Sequence, residues 1–198
     1  MDNEKKVKSG VNKNKVLTAN VAAVLLLLAV IAYVFLGPRG NSFRFKSNNL
    51  EFQSNIDGTV SVIGINDEVE TISIPSEVRH WWKTYSVTSI AYDAFSGCSS
   101  LVSVEIPIGV TEISERAFCD CSNLVSVEIP DSVTEIGDGA FANCISLVSV
   151  EIPDSVTEIG IAAFYGCSSL EWVEMSSETT FDNSAFINCT NMQNIIRR

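Results

Sequence analysis

A spacing of 23 residues constrains this chain more than any other feature. Phe95, Phe118, Phe141 and Phe164 recur at that interval, and Phe186 follows after 22. Cys98, Cys121, Cys144, Cys167 and Cys189 keep the same step, as do Leu101, Leu124, Leu147 and Leu170, with Met192 in the fifth place. Two units, Ser126 to Gly137 and Ser149 to Gly160, share the string Ser-Val-Glu-Ile-Pro-Asp-Ser-Val-Thr-Glu-Ile-Gly. Periodicity of this length marks a stacked architecture, in which one unit has too little apolar surface to fold alone and neighbours complete its core.

One unit can be read from residues 133–153. Val133 and Ile136 suit a short extended piece, while Ala140, Phe141 and Cys144 lie three to four apart, as on a helical turn. Leu147, Val150 and Ile152 follow the pattern L-x-x-L-x-L, and Pro153 ends the strand because it has no N–H to donate. The recurring motif is Val-Thr-x-Ile-Gly-x-x-Ala-Phe-x-x-Cys-x-x-Leu-x-x-Val-x-Ile-Pro, nearly intact at Val133–Pro153 and Val156–Met175. It resembles the BspA-type class of leucine-rich repeats over roughly residues 57–198. The resemblance implies an α/β, β-rich solenoid of 23-residue repeats with a parallel sheet. It also implies a surface or secreted protein engaged in adhesion or in binding other proteins.

The segments before the repeats differ in character. Residues 1–15 carry five lysines against two acids, a net of +3, and read as a basic cytoplasmic tail. Residues 16–36 hold no charge, and as a helix would span about 30 Å, the thickness of a bilayer core. The run exceeds the apolar part of a signal peptide, and Phe35-Leu36-Gly37-Pro38 lacks a small-residue cleavage pattern. An uncleaved signal anchor, one transmembrane helix, is therefore expected in preference to a cleaved leader. The preceding lysines place the N-terminus in the cytoplasm and the repeats outside it, at the cell surface or in a periplasm. Residues 37–42 form a linker that reaches at most about 20 Å.

Residues 43–76 are expected to supply a capping hairpin and the first strand. Asn55-Ile56-Asp57-Gly58 lies between alternating segments as a turn signal, and Thr71–Pro75 follows as a strand. Residues 77–198 hold the repeats. Pro75 to Val87 is nine residues longer than Pro107 to Val110. The excess, with Arg79-His80-Trp81-Trp82-Lys83, must project as a loop or hairpin. After Met192 no polar capping repeat follows. That leaves the last rung either open to self-association or closed by Arg197 and Arg198.

The candidate binding residues sit on the strands. Glu105, Glu128, Glu151 and Glu174 share one repeat position, beside inward-facing valines, so they point outward in a row. Carboxylates about 5 Å apart repel by about 1 kcal/mol in water, which a Lys- or Arg-bearing protein ligand would relieve. The competing reading is a solvated acidic face, with a Ca²⁺ site a further option. Glu112, Glu135 and Glu158 form a second row on another face. Ser103, Ser126 and Ser149 flank the first row, and Trp172 takes the serine place in the next unit as a contact anchor or as packing over its neighbour. Trp81 and Trp82 are the other aromatic candidates, unless one folds back over the solenoid's flank.

Composition excludes several classes. Residues 43–198 carry 7 Lys or Arg against 22 Asp or Glu, a net of −15, which repels nucleic acid. The five cysteines in register read as buried thiols, and Cys119, out of register, as more exposed. Cys119-Asp120-Cys121 lacks zinc spacing and His80 is the one histidine, so no metal or cofactor is expected. No phosphate loop, nucleophile elbow or HExxH appears, so no enzyme is expected. Asn188-Cys189-Thr190 fits a glycosylation sequon. The expected role is protein binding or adhesion at the cell surface. The alternatives are a membrane-proximal scaffold that self-associates or organises envelope proteins, and, resting on the tryptophans alone, a carbohydrate-binding module.

Overall fold

Each 23-residue unit makes one coil, because its apolar positions face a shared interior and its backbone groups are satisfied by the next coil. The computed structural model describes residues 42–198. The tail, the 16–36 segment and most of the linker lie outside the described residues. Within residues 42–198 no helix is long and apolar enough to cross a membrane.

The strands are β1 (Arg44–Ser47), β2 (Leu50–Ser54), β3 (Val60–Ile65), β4 (Thr71–Ser73), β5 (Glu77–His80), β6 (Lys83–Ile90), β7 (Ser103–Glu105) and β8 (Glu112–Ile113). They continue with β9 (Ser126–Glu128), β10 (Glu135–Ile136), β11 (Ser149–Glu151), β12 (Glu158–Ile159), β13 (Trp172–Met175), β14 (Thr180–Phe181) and β15 (Asn194–Arg197). One sheet of nine strands runs β1-β2-β3-β6-β8-β10-β12-β14, with β5 paired to β6. A second face carries two three-stranded sheets, β4-β7-β9 and β11-β13-β15. Repeat strands pair in parallel, whereas β1, β2 and β3 pair antiparallel and close the first rung. The result is a β-solenoid of about six turns. Asp57 and Gly58 form the β2–β3 turn, with Thr59 donating to Asp57 Oδ1 at 2.9 Å. The nine extra residues form the β5–β6 hairpin.

The segment around each phenylalanine departs from the expected helical turn. It is a run of turns, with no helix among the described residues. Two features cause this. Asp93, Arg116, Gly139 and Ala162, two residues before successive phenylalanines, have positive φ. So do Gly97, Asp120, Asn143, Gly166 and Asn188, two residues after. A left-handed residue on each side stops a right-handed helix. The phenylalanine N–H then bonds across to the next coil: Phe95 to Ala117 O, Phe118 to Ala140 O, Phe141 to Ala163 O and Phe164 to Ala185 O, all at 2.7–2.8 Å.

Inside, the rings form one file. Successive centroids from Phe95 to Phe186 are 5.1, 5.2, 5.2 and 5.4 Å apart, with interplanar angles of 10° or less. Four of the five rings are fully buried, within an apolar core running from Phe45 to Ala185. The cysteines are free thiols beside this file. Four of them cap a carbonyl of the preceding coil: Cys121 Sγ donates to Phe95 O at 3.1 Å, Cys144 to Phe118 O at 3.2 Å, Cys167 to Phe141 O at 3.1 Å and Cys189 to Phe164 O at 3.1 Å. Cys119 is buried, against expectation, at 5 % exposure, and its thiol donates to Asp120 Oδ2 at 3.4 Å. Its place in the coil admits small groups. Cys119 and Ala142 tuck in there, while the larger Tyr165 and Ile187 project.

Candidate functional site

The strand that carries Ser-Val-Glu has its valine in the core, so the serine and glutamate on either side must face solvent. Register then aligns the rows. Ser73, Glu105 and Glu128 occupy one column across β4, β7 and β9, and Glu151 and Glu174 pair across β11 and β13. Glu105, Glu128 and Glu151 are exposed and Glu174 half-buried. Ser73 Oγ donates to Glu105 Oε2 at 2.8 Å.

The row of four is not one unbroken ladder. Strand pairing stops between β9 and β11, so Glu105 and Glu128 lie on one sheet and Glu151 and Glu174 on the other. Just before these strands, Val148 N–H still donates to Val125 O at 3.3 Å. Over this seam lies an open groove of about 680 Å³, lined by Glu128, Asp131, Glu151, Asp154, Trp172 and Arg198, among others. Trp172, 37 % exposed, forms part of its wall. A shallower depression of about 380 Å³ continues the same face along Ser73, Glu105 and Glu128.

Arg198 is the feature that sequence reading missed as part of this face. Its guanidinium lies 3.1 Å from Glu151 Oε1, 3.4 Å from Glu174 Oε1 and 3.6 Å from Asp154 Oδ1. It also donates to Ile152 O at 3.1 Å. A guanidinium presents five donors in a planar fork, and here three carboxylates and a carbonyl surround it. Arg197 turns the other way, donating to Ser176 O, Ser177 O and Thr179 O. No spacing rule links position 198 to positions 151 and 174; the only sequence signal was two cations at the end of an acidic run.

The other candidates lie apart from the groove. Trp81 and Trp82 form the two-residue tip of the β5–β6 hairpin, 67 % and 54 % exposed. Neither folds back flat on the solenoid. Glu112, Glu135 and Glu158 align across β8, β10 and β12 on the nine-stranded sheet, all exposed. Beside that row, the Arg116 guanidinium, 2.8 Å from Asp93 Oδ1, holds the Asp93 carboxyl below the usual range. Burial pushes the Cys121 thiol up to about 12 and the Cys144 thiol also upward, so neither is a ready nucleophile or ligand. Among the described residues no three His, Cys, Asp or Glu side chains converge as metal ligands.

Comparison with known proteins bears on the fold and the family. No curated protein is similar enough to count as a match. A leucine-rich repeat protein of T. pallidum is 25 % identical with a TM-score of 0.60, over 78 % of this chain and 82 % of that one. One from Bacteroides ovatus is 27 % identical with a TM-score of 0.59, over 77 % of this chain and 53 % of that one. One from Bacteroides capillosus, 23 % identical with a TM-score of 0.60, covers 78 % and 98 % and supports the fold alone. The model of the BspA type leucine rich repeat region matches in six copies over residues 83–197. With more than half its length matched, the chain belongs to the BspA-type leucine-rich repeat family.

Proposed function

We propose that this is a non-enzymatic, membrane-anchored protein that binds a basic protein ligand through the groove between β9 and β11, as an adhesin or binding module at the cell surface. The observation that carries this is the two aligned pairs, Glu105 with Glu128 and Glu151 with Glu174, that meet at the groove with Trp172 in its wall. Stacked repeats commonly offer such extended faces for binding. Arg198 supports the chemistry, since its contacts with Glu151 and Glu174 are those a ligand's arginine would make. An aromatic ring at the rim of a charged groove is a favoured contact anchor. The uncharged run 16–36 and the lysines before it support an anchor with the repeats outside the cytoplasm.

The test is titration of the full chain with an arginine-rich peptide. The triple variant Trp172→Ala, Glu128→Lys, Glu151→Lys is expected to lose binding, while Glu112→Lys, Glu135→Lys on the other sheet keeps it. Equal binding by wild type and triple variant discards the groove. Protease accessibility of residues 43–198 on intact cells tests display, and protection there rules out adhesion.

A second reading is a scaffold that self-associates. It is favoured by β15, whose outer edge pairs with no strand among the described residues and which exposes Ile196. Light scattering discriminates: a strict monomer at high concentration removes it.

A further inference from the structure

The β5–β6 hairpin has no part in the groove, yet its tip is unusual for an acidic solenoid. The sequence there is Arg79-His80-Trp81-Trp82-Lys83. His80 pairs with Lys83, so the two tryptophans alone make the turn. Trp81 has φ of +56°, a left-handed conformation that a turn of this kind normally gives to glycine. Both rings remain largely in solvent, 5.3 Å apart. A strained backbone thus holds two bulky rings that the coils leave largely uncovered.

The tip is tied to the place where the chain enters the fold. Trp81 stacks on His80 at 4.9 Å, and His80 stacks on Phe45 at 4.2 Å and on Phe43 at 5.6 Å. One continuous file of rings therefore links Phe43 to Trp82. Phe43 follows the linker 37–42 directly, and those six residues extend at most about 20 Å. Charge is concentrated in the same place. Arg44, Lys46, Arg79 and Lys83 are four of the seven basic residues between 43 and 198. Lys46 is ion-paired to Glu51 at 2.7 Å, and Arg79 and Lys83 at the tip are exposed. The other three, Arg116, Arg197 and Arg198, lie on coils that otherwise present mostly acids.

We propose that the Trp81–Trp82 tip docks into the headgroup region of the bilayer that holds residues 16–36, with Arg79 and Lys83 on anionic lipid headgroups. This rests on the reading of residues 16–36 as a membrane span. Tryptophan favours the bilayer interface because its ring is apolar and its N–H can still reach a polar partner. Lysine and arginine beside it meet the negative surface charge of anionic lipid. The strained turn keeps both rings projecting together.

The test is depth-dependent fluorescence quenching of the full chain reconstituted in phosphatidylcholine–phosphatidylglycerol vesicles. The Trp172→Phe variant leaves only Trp81 and Trp82 emitting, and W81S/W82S leaves only Trp172. A spin label near the headgroups is expected to cut emission of the Trp172→Phe chain roughly two-fold, and more than a label at the acyl terminus does. Trp172 emission in W81S/W82S is expected to stay nearly unchanged. Because the Trp172→Phe chain keeps the hairpin intact, its own response decides even if W81S/W82S misfolds. A chain that floats with the vesicles but shows no quenching overturns the docking and leaves the span standing. Blue-shifted, unquenched emission also overturns it, in favour of a protein covering the tip. A chain washed from the vesicles by carbonate overturns the span and the docking together.

Discussion

Replacing Phe141 with alanine tests whether stacking of coils is what holds this molecule together. Phe141 is fully buried, with Phe118 and Phe164 each 5.2 Å away on either side. Truncation removes about 100 Å³ of ring, and unrelaxed void costs about 24 cal/mol per Å³, or about 2.4 kcal/mol. Lost transfer of the ring from water adds about 2 kcal/mol. The two stacked contacts add about 0.5 kcal/mol each at the low end of their range. The total is about 5 kcal/mol, a large share of the stability of a domain this size. Phe186 is the control. It is only partly buried and has a single stacked neighbour in the file, Phe164 at 5.4 Å, with Phe181 edge-on to it. Phe186→Ala should cost about half as much, because the end of a solenoid frays without breaking its centre. Urea unfolding followed by circular dichroism measures both. Equal losses, or less than about 1.5 kcal/mol for Phe141→Ala, would refute the idea that the central file carries the fold.

Gly137 sits where a Cβ would come within 2.6 Å of Glu115 N on the preceding coil. Gly137→Ala should therefore cost about 1–3 kcal/mol by thermal melting, although alanine is the better residue in most settings. Cys121 keeps its proton in the fold up to about 12, against an ordinary value of 9.0, because burial penalises the thiolate. The native state thus holds that proton more tightly than the unfolded chain. The stabilisation is complete below about 9 and is lost as pH rises from there through about 12, so urea midpoints should fall across that window. Iodoacetamide at pH 8 should label Cys121 and Cys144 only after denaturation; rapid labelling of the native chain would contradict the buried file.

How much of this was legible beforehand varies by element. The 23-residue period, the inward valines and the outward glutamates were all readable, because a strand's side chains alternate by geometry whatever the rest of the chain does. The segment around Phe141 was not read correctly. Ala140, Phe141 and Cys144 fit a helical spacing, yet Gly97, Asp120, Asn143, Gly166 and Asn188 two residues after each phenylalanine were a signal for left-handed turns. Spacing of apolar residues shows which groups are inside; it does not show whether a backbone N–H bonds within its own coil or across to the next. Cys119 was misjudged because register alone does not say how much room a coil leaves at a given place.

The repeat itself determined the solenoid, the buried ring file and the existence of an acidic row, since identical units can satisfy one another only by stacking in register. Long-range placement decided the rest. The entry of Arg198 into the groove and the stacking of His80 on Phe45 join residues with no periodic relation, and the break between β9 and β11 falls between two units of identical strand sequence. Such contacts depend on how coils and ends close in space, and a one-dimensional pattern carries no term for that distance.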